Sequence, residues 1–358
     1  MDIIINILMT MLEQLQKPTL AFLIGGMVLA AASSKFEMPE PIYKLIVMLL
    51  LLKVGLSSGM EIAQSNLIEL AVPALMATVA GIAIVLLGRV TLRKLHGVTD
   101  MDAMATAGLF GAVSASTLAA GMAMLEAEGV TYEGYIGALY PFMDVAALIT
   151  AILVARMAAA RKEAGMTING GAMALGGGTR KAGLLSGGDG PEAGAIAKAI
   201  LLDTLRSPAI SALLLGLAIG LFAKPDAIYQ EFYKPLFHGL LSLLMLVMGM
   251  EAWARLSELR KVAHAYLLYG LCAPFVHGAI GLGLGLVAHN LMGFSEGGMV
   301  LLAVMAASSS DISGPPTLRG ALPEANPSAY IGTSTGIGTP IALLSIPLWM
   351  AAANYLVG

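Results

Sequence analysis

Between Val304 and Thr317 a long apolar run is interrupted by Ala306-Ala-Ser-Ser-Ser-Asp-Ile-Ser-Gly-Pro-Pro-Thr317. The interruption puts a carboxylate, hydroxyls and a helix-breaking Gly-Pro-Pro into sequence that is otherwise soluble in lipid. Hydrocarbon offers no hydrogen bond to the backbone groups that such a break releases, so it persists at membrane depth only where protein or a watery cavity faces it. An ionisable residue in that place marks a functional site.

The surrounding chain is 58% hydrophobic and 12% charged, against roughly a quarter charged in soluble domains. Apolar stretches of about 20 residues, the length one bilayer-spanning helix needs, recur along it. They are continuous rather than alternating, which excludes a transmembrane barrel. Ten helices are expected, at about 18–33, 41–60, 68–94, 102–126, 133–158, 207–223, 232–256, 263–291, 297–321 and 329–356. The fold class is thus an all-α membrane protein with ten transmembrane helices. Residues 1–17 read as an interfacial segment, since Asp2 and Glu13 replace the positive start of a signal peptide. The single Cys272 leaves no intramolecular disulfide. No basic patch suggests nucleic acid. Basic residues concentrate in alternate connections (Lys35; Arg89, Arg93 and Lys94; Arg156 through Arg206; Arg255, Arg260 and Lys261; Arg319). The positive-inside rule makes these ends cytoplasmic and both termini external.

The two halves of the chain resemble each other. Pro18 matches Pro208, Gly59-Met-Glu matches Gly249-Met-Glu, Ser114-Ala-Ser-Thr matches Ser308-Ser-Ser-Asp, and Tyr135-Ile-Gly matches Tyr330-Ile-Gly, all in one order. An internal duplication leaves such a pattern. Five helices per half is odd, so the second half enters the membrane from the opposite side. The organisation expected is a 5+5 inverted repeat, a topology characteristic of secondary transporters. Residues 18–160 form the first repeat, 161–199 a Gly-rich cytoplasmic linker, and 200–358 the second.

Helices four and nine are both broken by small and hydroxyl residues, and the breaks are expected to cross at the midplane. A half-helix N-terminus attracts an anion, whereas freed carbonyls suit a cation. Asp311 in the ninth helix faces Thr117 in the repeat, and Asp144 in the fifth faces Thr339. Carboxylate with hydroxyls and carbonyls favours an alkali or alkaline-earth cation. The five histidines show no ligand spacing, and His277 reads as a hydrogen-bonded structural residue before a proton relay. Neither break contains a Lys or Arg, which points to a small monoanion held by N–H groups and hydroxyls rather than to a dianion. Glu61 and Glu251 read as helix-end residues in a structural or gating role, Trp253 and Trp349 read as interfacial anchors, and the Gly55–Gly59 and Gly281–Gly285 runs read as close-packing seams.

The segments Gln16-Lys-Pro-Thr-Leu-Ala-Phe-Leu-Ile-Gly-Gly-Met, Gly108-Leu-Phe-Gly-Ala-Val-Ser, Gly137-Ala-Leu-Tyr-Pro-Phe-Met-Asp, Met248-Gly-Met-Glu-Ala-Trp, Ala306 to Leu318 and Asn326-Pro-Ser-Ala-Tyr-Ile-Gly resemble the cyanobacterial-type sodium-dependent bicarbonate transporter family, SbtA, over nearly the whole chain. The resemblance implies a sodium and bicarbonate symporter of the bacterial inner membrane, with core and gate domains, an elevator-like movement and a homotrimer. It also implies a PII-like regulatory protein at the cytoplasmic face. Sodium is the coupling ion, and no other cofactor or catalytic residue is expected. Carried over by position, Ser114, Ser116, Thr117, Asp144, Ser308, Ser310 and Asp311 surround sodium, with Asp144 and Asp311 as metal-binding carboxylates. Gly111, Ala112, Val113, Ser313, Gly314, Pro315, Pro316 and Thr317 surround bicarbonate. Ala115 stands where the family pattern has Gly, and the linker lacks the family's charged character. The alternatives are another small monocarboxylate as cargo, protons as coupling ion, a channel, or an intramembrane aspartyl protease. The last would need a Gly-x-Gly-Asp element that Ser309-Ser-Asp311 does not supply.

Overall fold

The computed structural model describes residues 18–36, 38–63, 67–169, 208–223, 225–259 and 264–357, with the isolated positions 198, 202 and 206. The N-terminal segment 1–17, and the linker from 170 onward apart from residue 198, lie outside the described residues. What is described is helical, with no strand among the described residues. The helices are α1 (Pro18–Ala31), α2 (Glu40–Ile62), α3 (Leu67–Leu92), α4 (Asp100–Gly111), α5 (Ala115–Ala127), α6 (Tyr140–Asn169), α7 (Pro208–Phe222), α8 (Lys234–Leu259), α9 (His264–Met292), α10 (Glu296–Ala307), α11 (Gly314–Ala321), α12 (Pro327–Thr333) and α13 (Thr339–Val357). A 3-10 turn, Gly134–Leu139, leads into α6, and π turns at Tyr229–Tyr233 and Ser334–Gly338 lead into α8 and α13.

Among the described residues, seven helical stretches are long and apolar enough to cross a bilayer. Three shorter apolar helices, Leu20–Ala31, Ile210–Phe222 and Glu296–Ala307, stand where the sequence places its first, sixth and ninth spans. The expected fourth and ninth spans are each two helices, α4 with α5 and α10 with α11. The fifth ends later than expected, because α6 runs on through Asn169 and makes the first residues assigned to the linker helical.

Packing is reciprocal between the two halves. α1 lies along α8 and α2 along α7; α3 packs on α4 and α6, as α9 packs on α10 and α13. Even the irregular turns match, with Gly134–Leu139 against α2 and Ser334–Gly338 against α8. Two glycine seams permit the first pairing. A Cβ on Gly55 would stand 3.1 Å from the Gly216 Cα, and one on Gly59 3.0 Å from the Gly220 Cα. Gly26 and Gly249 lie against the carbonyls of Leu246 and Leu23 in the same way. With lipid outside as apolar as the side chains, close backbone approach of this kind drives association. In the α9 run, Gly281 and Gly285 meet α10, whereas Gly283 has nothing within 4 Å.

Trp349 departs from its expected interfacial role. It is 4% exposed, lies against Gly278 and donates Nε1–H to Ser345 Oγ at 2.9 Å, because its indole fills the space a glycine leaves on α9. Trp253 is exposed, as an anchor would be.

The α2–α7 seam yields a stability test. Gly59→Val should lower the detergent melting temperature through an overpacking cost of about 1–3 kcal/mol. Gly283→Val should leave it unchanged, and both are read by thermal unfolding of the purified protein.

Candidate functional site

The interrupted helices lie inside protein. Every residue from Asp102 to Leu125, across both halves of the first break, is buried, and so is α10 from Gly297 to Ala307. Lipid therefore does not reach the released backbone groups, and the breaks satisfy one another. Ser310 N–H donates to the Leu109 carbonyl at 2.8 Å, one of those freed at the end of α4. Ser114 N–H donates to Ser308 Oγ at 3.0 Å, and Ser308 Oγ donates onward to the Met305 carbonyl at 2.7 Å. The fourth and ninth helices thus meet through hydrogen bonds from main chain to the opposite break.

The sequence-derived site residues separate into two clusters around this crossing. In one, Asp311 Oδ2 accepts from Ser116 Oγ at 2.8 Å and from Ser114 Oγ at 3.3 Å. Ser114 also caps α5, its Oγ accepting from Thr117 N–H at 3.2 Å and from Thr117 Oγ1 at 3.0 Å. The carboxylate consequently sits at the positive end of the α5 dipole, where a negative charge is stabilised. Its second oxygen, Oδ1, is buried and has no hydrogen-bond partner among the described residues. Such an atom inside a protein is costly unless another species completes it.

In the other cluster Asp144 is fully engaged. Its Oδ1 accepts from Val113 N–H at 3.1 Å and its Oδ2 from Ser313 Oγ at 3.1 Å. Ser313 Oγ lies 3.1 Å from Ser310 Oγ, and Ser310 Oγ accepts from Gly314 N–H at 2.9 Å, which caps α11 from within the loop. Asp144, on α6, thereby ties the end of the first break to the start of the second half-helix.

The halves differ in detail at the crossing. The first break spans Ala112 to Ser114, the second the longer stretch Ser308 to Ser313. Ser116 and Thr117 are therefore in the first turn of α5, whereas their sequence counterparts Ser310 and Asp311 are in the loop. The N–H groups expected to hold an anion are also unequal. Ala112 N–H is taken by the Gly108 carbonyl, Val113 by Asp144 and Gly314 by Ser310, while Pro315 and Pro316 have none. Pro316 is exposed, and Thr317 Oγ1 donates back to the Ser313 carbonyl at 2.8 Å. The half-helix start with N–H groups left over is that of α5, at Ala115 and Ser116, which donate to no acceptor among the described residues.

The two aspartates hold separate partners, unlike the carboxylate pair of an aspartyl protease. His277 is 1% exposed and sits edge-on to Phe110 and Tyr269. Its Nδ1 makes no hydrogen bond among the described residues, so the hydrogen bonding expected is missing at that nitrogen, and aromatic rings pack against the imidazole. Sequence reasoning passed over Ser309, whose Oγ donates to the Ser334 carbonyl at 3.1 Å and lies 3.2 Å from Thr339 Oγ1. It also passed over Lys53, whose signal was a cation inside the apolar run Ile46–Leu56.

Removing Asp144 should unfold more than removing Asp311. Asp144→Ala strands two buried donors at about 1–3 kcal/mol each, and its melting temperature should fall well below that of Asp311→Ala in differential scanning fluorimetry.

A family model described as the Na+-dependent bicarbonate transporter superfamily matches residues 18–354. Comparison with curated proteins finds no match.

Proposed function

The chain belongs to the Na+-dependent bicarbonate transporter superfamily, and from that membership we propose that it imports bicarbonate by symport with sodium, through alternating access of a 5+5 inverted repeat. It is a transporter and not an enzyme, and a multi-pass membrane protein. The reciprocal packing of the two halves supports the repeat. The pairing of α1 with α8 and of α2 with α7, with α5 the broken-helix element that α1, α2 and α8 pack on, supports a gate and a core that slide past one another in an elevator-like movement. The inner membrane, the external termini, the homotrimer and the PII-like regulator follow from the family resemblance and the charge distribution.

One observation carries the reading of the site: the unpartnered buried oxygen of Asp311 beside the hydroxyls that begin α5. Sodium is the cargo that completes this oxygen, with Ser114, Ser116, Thr117 and Ser308 in its surroundings. Ser310 and Asp144 act by bracing the crossing. Bicarbonate then lies against the Ala115 and Ser116 N–H groups, flanked by Gly111 to Val113 and Ser313 to Thr317. Two like charges about 4 Å apart repel by about 4 kcal/mol at an effective dielectric of 20. An anion therefore cannot approach the bare Asp311 carboxylate favourably, and sodium must bind first. Coupling follows from this order without a separate gate.

Labelled bicarbonate uptake into proteoliposomes tests the function. Uptake should require a sodium gradient, vanish when choline replaces sodium at constant pH, and be lost in Asp311→Asn. Sodium alone should raise the melting temperature of the native protein and leave that of Asp311→Asn unmoved. Sodium-stimulated uptake retained by Asp311→Asn would overturn the assignment.

A further inference from the structure

Lys53 lies in the middle of α2 with its side chain 4% exposed, its Nζ 4.0 Å over the ring of the buried Phe237 on α8. From this seam it reaches across to Glu126 in the last turn of α5, Nζ to Oε1 at 3.2 Å. Glu126 is held from two further sides. Tyr132 OH donates to Oε1 at 2.6 Å, and His238 Nε2 on α8 lies 3.8 Å from Oε2. Burial, and then the Glu126 charge, keeps the Tyr132 phenol above its ordinary titration range, so it remains a donor. Close by, Ser58 Oγ on α2 donates to the Gly134 carbonyl at 2.8 Å.

The Lys53, His238 and Ser58 contacts join the α2–α8 pair to the α5 end and the 3-10 turn on one face of the molecule, and Tyr132 holds Glu126 in place for them. At the aligned positions the second half carries neither charge. At the offset that pairs Gly59-Met-Glu with Gly249-Met-Glu, Lys53 corresponds to Leu243. At the offset that pairs Ser114 with Ser308, Glu126 corresponds to Gly320. In an inverted repeat the two access states exchange the roles of the two halves, so a bond formed by one half alone stabilises one state over the other.

We propose that Lys53 and Glu126 form a one-sided latch that closes the face bearing the α5 C-terminus, so that the resting protein is open toward the opposite, Lys- and Arg-rich face. The inference rests on the alternating-access reading above. Opening the closed face must part a buried ammonium from its carboxylate, and an unpaired buried charge is strongly unfavourable. The latch therefore sets the direction in which the empty carrier waits.

The test reads the latch without reading transport. On a Cys272→Ser background, Ser58→Cys reports the seam, because Ser58 is 0% exposed in the closed face. With the pair intact, a membrane-impermeant maleimide should label the introduced thiol slowly. In Lys53→Met with Glu126→Gln, where both charges are removed and none is left buried alone, labelling should be at least fivefold faster. The swap Lys53→Glu with Glu126→Lys should slow it again. Equal labelling rates with and without the pair would overturn the latch, even if bicarbonate uptake remains sodium-dependent. Loss of sodium dependence in the native protein would instead count against the functional reading, leaving the labelling result to stand alone.

Discussion

Everything at the centre of this molecule depends on how the backbone groups freed by two helix breaks find partners in a protein surrounded by hydrocarbon. The solution is mutual. The N–H of Ser310 reaches the Leu109 carbonyl, the N–H of Ser114 reaches the hydroxyl of Ser308, and the flanking half-helices α4, α5 and α10 are buried over nearly their whole lengths. Neither break could exist without the other, because each supplies groups that water would supply in a soluble protein. The polar crossing is a by-product of that constraint.

The support around the crossing is unequal in kind. Asp144 spends both oxygens on holding the breaks together, whereas Asp311 spends one and leaves the other open. Two aspartates that look alike in a motif thus divide into one that braces the crossing and one that keeps an oxygen to spare. The glycine seams do related work further out. Where Gly55 and Gly59 meet Gly216 and Gly220, two helices approach at backbone distance and make a tightly packed pair.

Much of this was legible in the sequence, and the physical reason is that lipid narrows the options. An apolar run long enough to span leaves little choice but helix, so the positions of the spans and the two interruptions followed from composition and breakers. The proximity of Ser114 to Asp311 followed from the matched motifs. What was not legible came from packing. Equal motifs suggested equal breaks, but Pro315 and Pro316 delay the start of α11, moving Asp311 into the loop while Thr117 enters a helix. By residue type Trp349 is an anchor, but a glycine on a neighbouring helix leaves the space that takes it inside. Lys53 was overlooked because its partner Glu126 is distant in the chain, and only the fold brings them together.

The prolines that begin α11 have a consequence for counting. A perfectly symmetric crossing would present two equivalent seats for negative cargo, one at each half-helix start. Pro315 and Pro316 carry no amide hydrogen, and the Gly314 hydrogen is already committed to Ser310. None of these three positions at the start of α11 therefore has an N–H to offer, and on the reading proposed above a carrier built from twin halves keeps one anion seat, at the start of α5.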